Sequence, residues 1–133
     1  MKIGILSFAH HHGEAYIANL RNIPGVELLG VADEDATRGQ LLATKHGTAF
    51  FPTYEALLEA RPDGVIISSE NNKHRPLVEM AAAAGVHVLC EKPLATMLAD
   101  AQAIVDTCDR AGVLLMTAFP MRFSPPLLEI RTR

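Results

Sequence analysis

A doubly wound, parallel α/β sheet is the fold this sequence predicts, and three observations carry that expectation. Strand-like and helix-like segments alternate from one end to the other, with no repeat and no low-complexity stretch. The strand segments are almost wholly apolar, as strands covered on both faces must be. Between them, Pro24-Gly25, Gly47, Pro62-Asp63-Gly64, Gly85 and Gly112 supply stop signals at the spacing of short crossovers. Six strands joined by right-handed crossovers are expected in the order 3-2-1-4-5-6.

Residues 2–7 read as the first strand, and residues 14–22 as a helix closed by Pro24-Gly25. Residues 26–32 form the second strand. Asp35 is placed to cap the helix that runs to His46 and stops at Gly47. Phe50 and Phe51 mark a short third strand, and Thr53 starts a small helix that ends before Arg61. Residues 65–68 are the fourth strand. Pro76 sits in the first turn of the next helix, which Gly85 closes. Residues 86–89 are the fifth strand. Thr96 is expected to cap a helix carrying Ala101, Ile104, Val105 and Cys108 on one apolar face. After Gly112, residues 113–117 make the sixth strand. Ser124 and Pro125 then open a further helix whose apolar face begins with Leu127, Leu128 and Ile130.

The chain has 133 residues, 49% of them hydrophobic and 20% charged, with a net charge of −3, which suits one globular domain. No basic tract points to nucleic acid, and no apolar run approaches the ~20 residues of a membrane span. Met1-Lys2-Ile3 enters the first strand directly, so no signal peptide is expected. Cys90 and Cys108 lack ligand-like spacing and read as small core residues, which suits the cytoplasm.

The chemistry is expected at the carboxyl ends of the strands. Ser7-Phe8-Ala9-His10-His11-His12-Gly13 follows the first strand, where a dinucleotide fold carries its glycines. Ser7 and Ala9 stand at the first two glycine positions, and Gly13 keeps the third at the helix start. Asp33 ends the second strand, twenty positions after Gly13, the spacing of a carboxylate that binds ribose hydroxyls. With Glu34 and Asp35 it would repel a 2′-phosphate, so NAD is favoured over NADP; Arg38 is the nearby counterargument. His10, His11 and His12 are adjacent, and adjacent residues rarely converge on one ion, so no metal is expected. Instead His10 and His12 are assigned to the cofactor phosphates. Ser68, Asn71 and His74 follow the fourth strand; Asn71 can donate to and accept from a ribose, and His74 either caps a helix or touches ligand. Glu91 and Lys92 end the fifth strand, as an ion pair at the surface or as part of a site.

With Glu91-Lys92-Pro93 after strand five, Asn71 and His74 after strand four, Asp33 after strand two and Arg122-Phe123-Ser124-Pro125 after strand six, the chain resembles the Gfo/Idh/MocA oxidoreductases. That resemblance implies a Rossmann-type dinucleotide-binding domain over residues 1–120. It implies that residues 121–133 begin a linker helix toward a C-terminal substrate domain lying outside this sequence. Implied too is hydride transfer at the CH–OH group of a sugar or cyclitol, with Lys92 as catalytic residue bonding the reacting hydroxyl. Ser7, Ala9, His10, His12, Gly13, Asp33, Ser68, Asn71, His74 and Glu91 fall on the cofactor side. A cis Lys92–Pro93 bond also follows from the resemblance. The chain is expected to be inert toward sugar or polyol unless a second domain is supplied, and to associate with itself through its apolar tail. The alternative expectation is a free-standing, non-catalytic module that binds a nucleotide or a protein.

Overall fold

The computed structural model describes residues 1–132. In chain order the elements are β1 (Lys2–Leu6), α1 (His12–Leu20), β2 (Glu27–Ala32), α2 (Ala36–His46), β3 (Phe50–Phe51), α3 (Tyr54–Glu59), β4 (Gly64–Ile67), α4 (His74–Ala83), β5 (His87–Cys90), α5 (Leu98–Ala111), β6 (Leu115–Thr117) and α6 (Pro125–Thr132). Short 3₁₀ turns at Asn71–Lys73 and Pro120–Phe123 lead into α4 and toward α6. The sheet is parallel, in the expected order β3-β2-β1-β4-β5-β6.

Side chains alternate between the two faces with period two, and each face has its own core. Ile3, Ile5, Val31 and Ile66 meet Ile17 and Leu20 of α1 and Leu42 and Ala43 of α2. Leu6, Val65, Ile67, Val88 and Cys90 meet Leu57 of α3, Leu77 and Val78 of α4, and Ile104 and Cys108 of α5. Close approach is bought with small residues at chosen points. A Cβ on Gly4 would stand 2.4 Å from Leu57 Cδ2, and one on Gly30 would stand 2.8 Å from the Ala49 carbonyl oxygen.

Capping follows the sequence in part. The Asp35 carboxylate accepts the Arg38 N–H at 3.0 Å, and Gly47 closes α2 in the left-handed conformation. Thr53 Oγ1 accepts the Ala56 N–H at 3.1 Å. Thr96 does not cap α5. The helix starts at Leu98, so the flanking position falls on Met97, whose side chain has no oxygen to accept a backbone N–H. Ile104 and Cys108 are buried as expected, but Val105 points largely to solvent. The α1 helix starts two residues early, at His12, which brings the last histidine of the loop into its first turn.

The α1 side of β5 and β6 is poorly covered. Leu89, Met116, Ala118, Phe119, Pro120 and Phe123 line a shallow apolar hollow there, with Tyr16 at its edge. Met121, Phe123, Leu127 and Ile130 are exposed near and along α6. Among the described residues, no helix is long and apolar enough to cross a membrane.

Candidate functional site

Strand order reverses between β1 and β4, and the loops leaving the carboxyl ends of β1, β2, β4 and β5 converge on that switch point. The loop after β1 keeps the geometry of a glycine turn with other residues. Ser7 adopts φ 70°, the left-handed region that a glycine would supply without penalty. Its N–H reaches the Ala32 carbonyl at 2.8 Å, and its Oγ accepts the Ala9 N–H at 3.2 Å, which offsets part of that cost. Further along, the His10 N–H donates to the Ser68 carbonyl at 2.9 Å, and Ser68 Oγ donates back to the His10 carbonyl at 3.2 Å. Gly13 is required for space: a Cβ there would lie 2.5 Å from Phe8 Cδ1 and 3.3 Å from Ser68 Oγ. The side chain of His11, just before α1, makes no cap; the His12 N–H is accepted by His10 Nδ1 at 3.3 Å and the Gly13 N–H by the His10 carbonyl at 3.1 Å.

The three histidine rings converge, against the expectation for adjacent residues. Their centroids lie 4.3–4.5 Å apart, and one ring nitrogen from each lies within 4.8 Å of the others. Burial holds His10 below its ordinary pKa; the Glu91 charge opposes this, while His12, His11 and Lys92 reinforce it. His12 turns its Nδ1 to Glu91 Oε1 at 2.9 Å.

Glu91 is the centre of this corner. It is 1% exposed, so it acts on its neighbours rather than facing the cleft as a cofactor contact would. Oε1 accepts Tyr16 Oη at 2.5 Å as well as the His12 ring, and Oε2 accepts the Lys92 N–H at 3.0 Å. Burial alone would raise the carboxyl pKa. The bonds from Tyr16, His12 and the Lys92 N–H outweigh it and hold the group below its ordinary value. The Tyr16 hydroxyl is pushed up, first by burial and then by Glu91. Lys92 follows, half-buried, and its bond to Pro93 is cis, as expected.

Asp33 was expected to meet a ribose. The structure places it 2% exposed with both oxygens engaged. Oδ2 accepts the Phe8 N–H at 2.7 Å and Arg38 Nε at 2.9 Å; Oδ1 accepts the Asp35 N–H at 2.8 Å and Arg38 Nη2 at 2.7 Å. Four donors fill the capacity of a carboxylate. Arg38, partly exposed, is the bidentate partner of Asp33.

The loop after β4 divides. Ser68 and Ser69 are buried and Asn71 is exposed. Lys73 bonds Glu34 and, at 3.2 Å, Glu70, linking the loops after β2 and β4. His74 was placed on the cofactor side, yet it is 0% exposed at the start of α4. Its Nδ1–H donates to the carbonyls of Pro93 at 2.9 Å and Leu94 at 3.3 Å, so it steadies the chain just after Lys92. Its Nε2 is buried without a partner.

Sequence reasoning missed Tyr16, and it named Arg38 without its bond to Asp33. Tyr16 lies four residues after His12, hence on the same face of α1, and that spacing was a usable signal. Five residues separate Arg38 from Asp33, which is no regular spacing.

A family profile described as "Oxidoreductase family, NAD-binding Rossmann fold" matches residues 2–119. D-apiose dehydrogenase of Paraburkholderia graminis is 38% identical over 96% of this chain and 34% of its own length. Myo-inositol 2-dehydrogenase of Thermotoga maritima is 32% identical over 92% of this chain and 37% of its own. The solved UDP-N-acetylglucosamine 3-dehydrogenase of Acidithiobacillus ferrooxidans superposes with a TM-score of 0.91 at 30% identity, covering 99% of this chain and 42% of that one. This chain thus spans between a third and a half of the length of these relatives. On the profile match, the sheet order and the β5-end Glu91-Lys92-Pro93 corner together, the chain belongs to the Gfo/Idh/MocA oxidoreductase family and is its NAD-binding Rossmann domain.

Proposed function

We propose that this chain is the cofactor-binding part of an oxidoreductase that acts on the CH–OH group of a sugar or cyclitol, with NAD as its dinucleotide. The observation that carries the reading is the Glu91 corner, which fastens Lys92 at the end of β5 beside the start of α1. Left-handed Ser7 and the space kept by Gly13 fit a pyrophosphate at the start of α1, with N–H groups from the turn and the ring of His10 as donors. When bound, the nicotinamide supplies the hydride acceptor. Lys92 donates a hydrogen bond to the reacting hydroxyl and stabilises the negative charge that grows there. Glu91 and His74 fix the backbone on either side of it.

NAD is favoured over NADP because Arg38, the nearest guanidinium, is spent on Asp33 and is not free for a 2′-phosphate. A ribose would have to share Asp33 with Arg38 or displace it. Residues 1–120 form the dinucleotide unit, and residues 121–133 lead toward a substrate domain. Without that domain nothing closes over Lys92 to exclude water, and the chain is inert toward sugars. Exposed Phe123 and Leu127 make self-association through the tail part of this reading.

Calorimetric titration with NAD and NADP tests it. NAD should bind more tightly, and absence of binding by either at millimolar concentration sinks the proposal. That result would favour the alternative, a non-catalytic interaction module, for which the fully occupied Asp33 carboxylate is the supporting observation.

A further inference from the structure

The His10 and His11 rings stack, and the His12 ring meets both edge-on. A neutral imidazole presents a lone pair, and one ring nitrogen from each of the three lies within 4.8 Å of the others, the donor set of a borderline divalent cation. The turn before α1 creates this convergence: His10 and His11 precede the helix and His12 is its first residue.

The surroundings complete the chemistry. A metal-bound imidazole characteristically gives its other ring N–H to a carboxylate, which fixes the tautomer and strengthens the ligand. His12 does this already. Ionised Glu91 can only accept, so His12 Nδ1 carries the proton at 2.9 Å, and Nε2 keeps its lone pair for an ion. Glu91 itself is anchored by Tyr16 and brings a buried negative charge to offset a dication. His10 Nδ1 is an acceptor in the same turn, taking the His12 N–H at 3.3 Å, a long bond that yields readily to a metal. Lys92 works against a second positive charge there, but its flexible stem can turn away.

We propose that His10, His11 and His12 form a three-imidazole site for a divalent transition cation of the zinc class, backed by Glu91. It goes beyond the oxidoreductase reading and needs no dinucleotide. It also overlaps the turn assigned to the pyrophosphate, which makes such an ion a competitor of the cofactor.

Zinc chloride titrated calorimetrically into the chain, in buffer free of phosphate and thiols, tests the site. One ion per chain at micromolar affinity is expected. His11→Ala, at an exposed ring, should weaken binding at least about 10-fold. Glu91→Gln removes no ligand and should still weaken it about 10–100-fold, to which a loose run of three histidines would be indifferent. Should that variant fail to fold by circular dichroism, the wild-type chain in concentrated urea serves instead: a site built by the fold loses zinc as the chain unfolds. Absence of one-to-one uptake overturns the proposal. So does uptake unaltered in His11→Ala, in folded Glu91→Gln or in urea. Because zinc is read with no NAD present, failure here and failure of NAD to bind are separate results.

Discussion

Tyr16 Oη donates a 2.5 Å hydrogen bond to Glu91 Oε1, tying the second turn of α1 to the residue that follows β5 across 75 positions of chain. Tyr16→Phe keeps the ring and removes this donor from a buried carboxylate. It should cost about 1.5–3 kcal/mol of unfolding free energy, measured by urea denaturation followed by circular dichroism. A loss under about 0.5 kcal/mol would show that the bond contributes nothing net.

The same carboxylate sets a pH dependence. Its pKa is lower folded than the ordinary 4.5, so its stabilisation is complete above about pH 4.5 and is lost as pH falls through the folded value. Denaturation midpoints measured from pH 6 downward, at about half-unit steps, should fall less steeply below pH 4.5 in Tyr16→Phe than in the wild type. Parallel curves would mean that Tyr16 does not depress the Glu91 pKa.

Arg38→Ala leaves Asp33 buried with two of its four donors gone. Breaking a fully buried pair costs about 3–5 kcal/mol; Arg38 is 32% exposed, so about 2 kcal/mol is expected here. NAD affinity should rise by calorimetry, since a ribose then need not share Asp33 with the guanidinium or displace it. A selective loss of NADP binding would instead place Arg38 at the 2′-phosphate and overturn the preference for NAD.

Gly13→Ala forces a Cβ to within 2.5 Å of Phe8 Cδ1 unless the ring moves. Destabilisation of about 1–3 kcal/mol is expected, together with weaker NAD binding, because Phe8 belongs to the loop that Asp33 holds. Thermal unfolding and calorimetry read the two effects separately.

Replacing Phe123 and Leu127 by serine should shift any concentration-dependent association toward monomer in sedimentation velocity. A wild-type chain that stays monomeric at high concentration removes self-association from the proposed function.

The sheet was legible because its signals are local and repeated: apolar runs, stop residues, and caps such as Asp35 and Thr53. Thr96 misled for a local reason too, since its type suits a cap but the helix begins one residue too late for it, after Met97. The site was legible by position and not by partner. Lys92, Glu91, Asp33 and Gly13 stand at or just beyond the strand and helix ends that the sequence indicates. Which side chain saturates Asp33, or that Glu91 is shared by Tyr16 and His12, depends on contacts between elements that no single stretch encodes. The closeness of the three histidine rings was not legible, because adjacency along an extended chain separates rings, whereas a tight turn into a helix gathers them.

Cys90 ends β5 next to Glu91, and Cys108 faces the same core from α5. Burial, then the Glu91 charge, pushes the Cys90 thiol up to about 12, so at neutral pH it is neither ionised nor reachable. A thiol reagent can modify it only in molecules whose β5 corner has opened. The labelling rate of Cys90 is therefore a clock for the breathing of the very segment that carries Lys92.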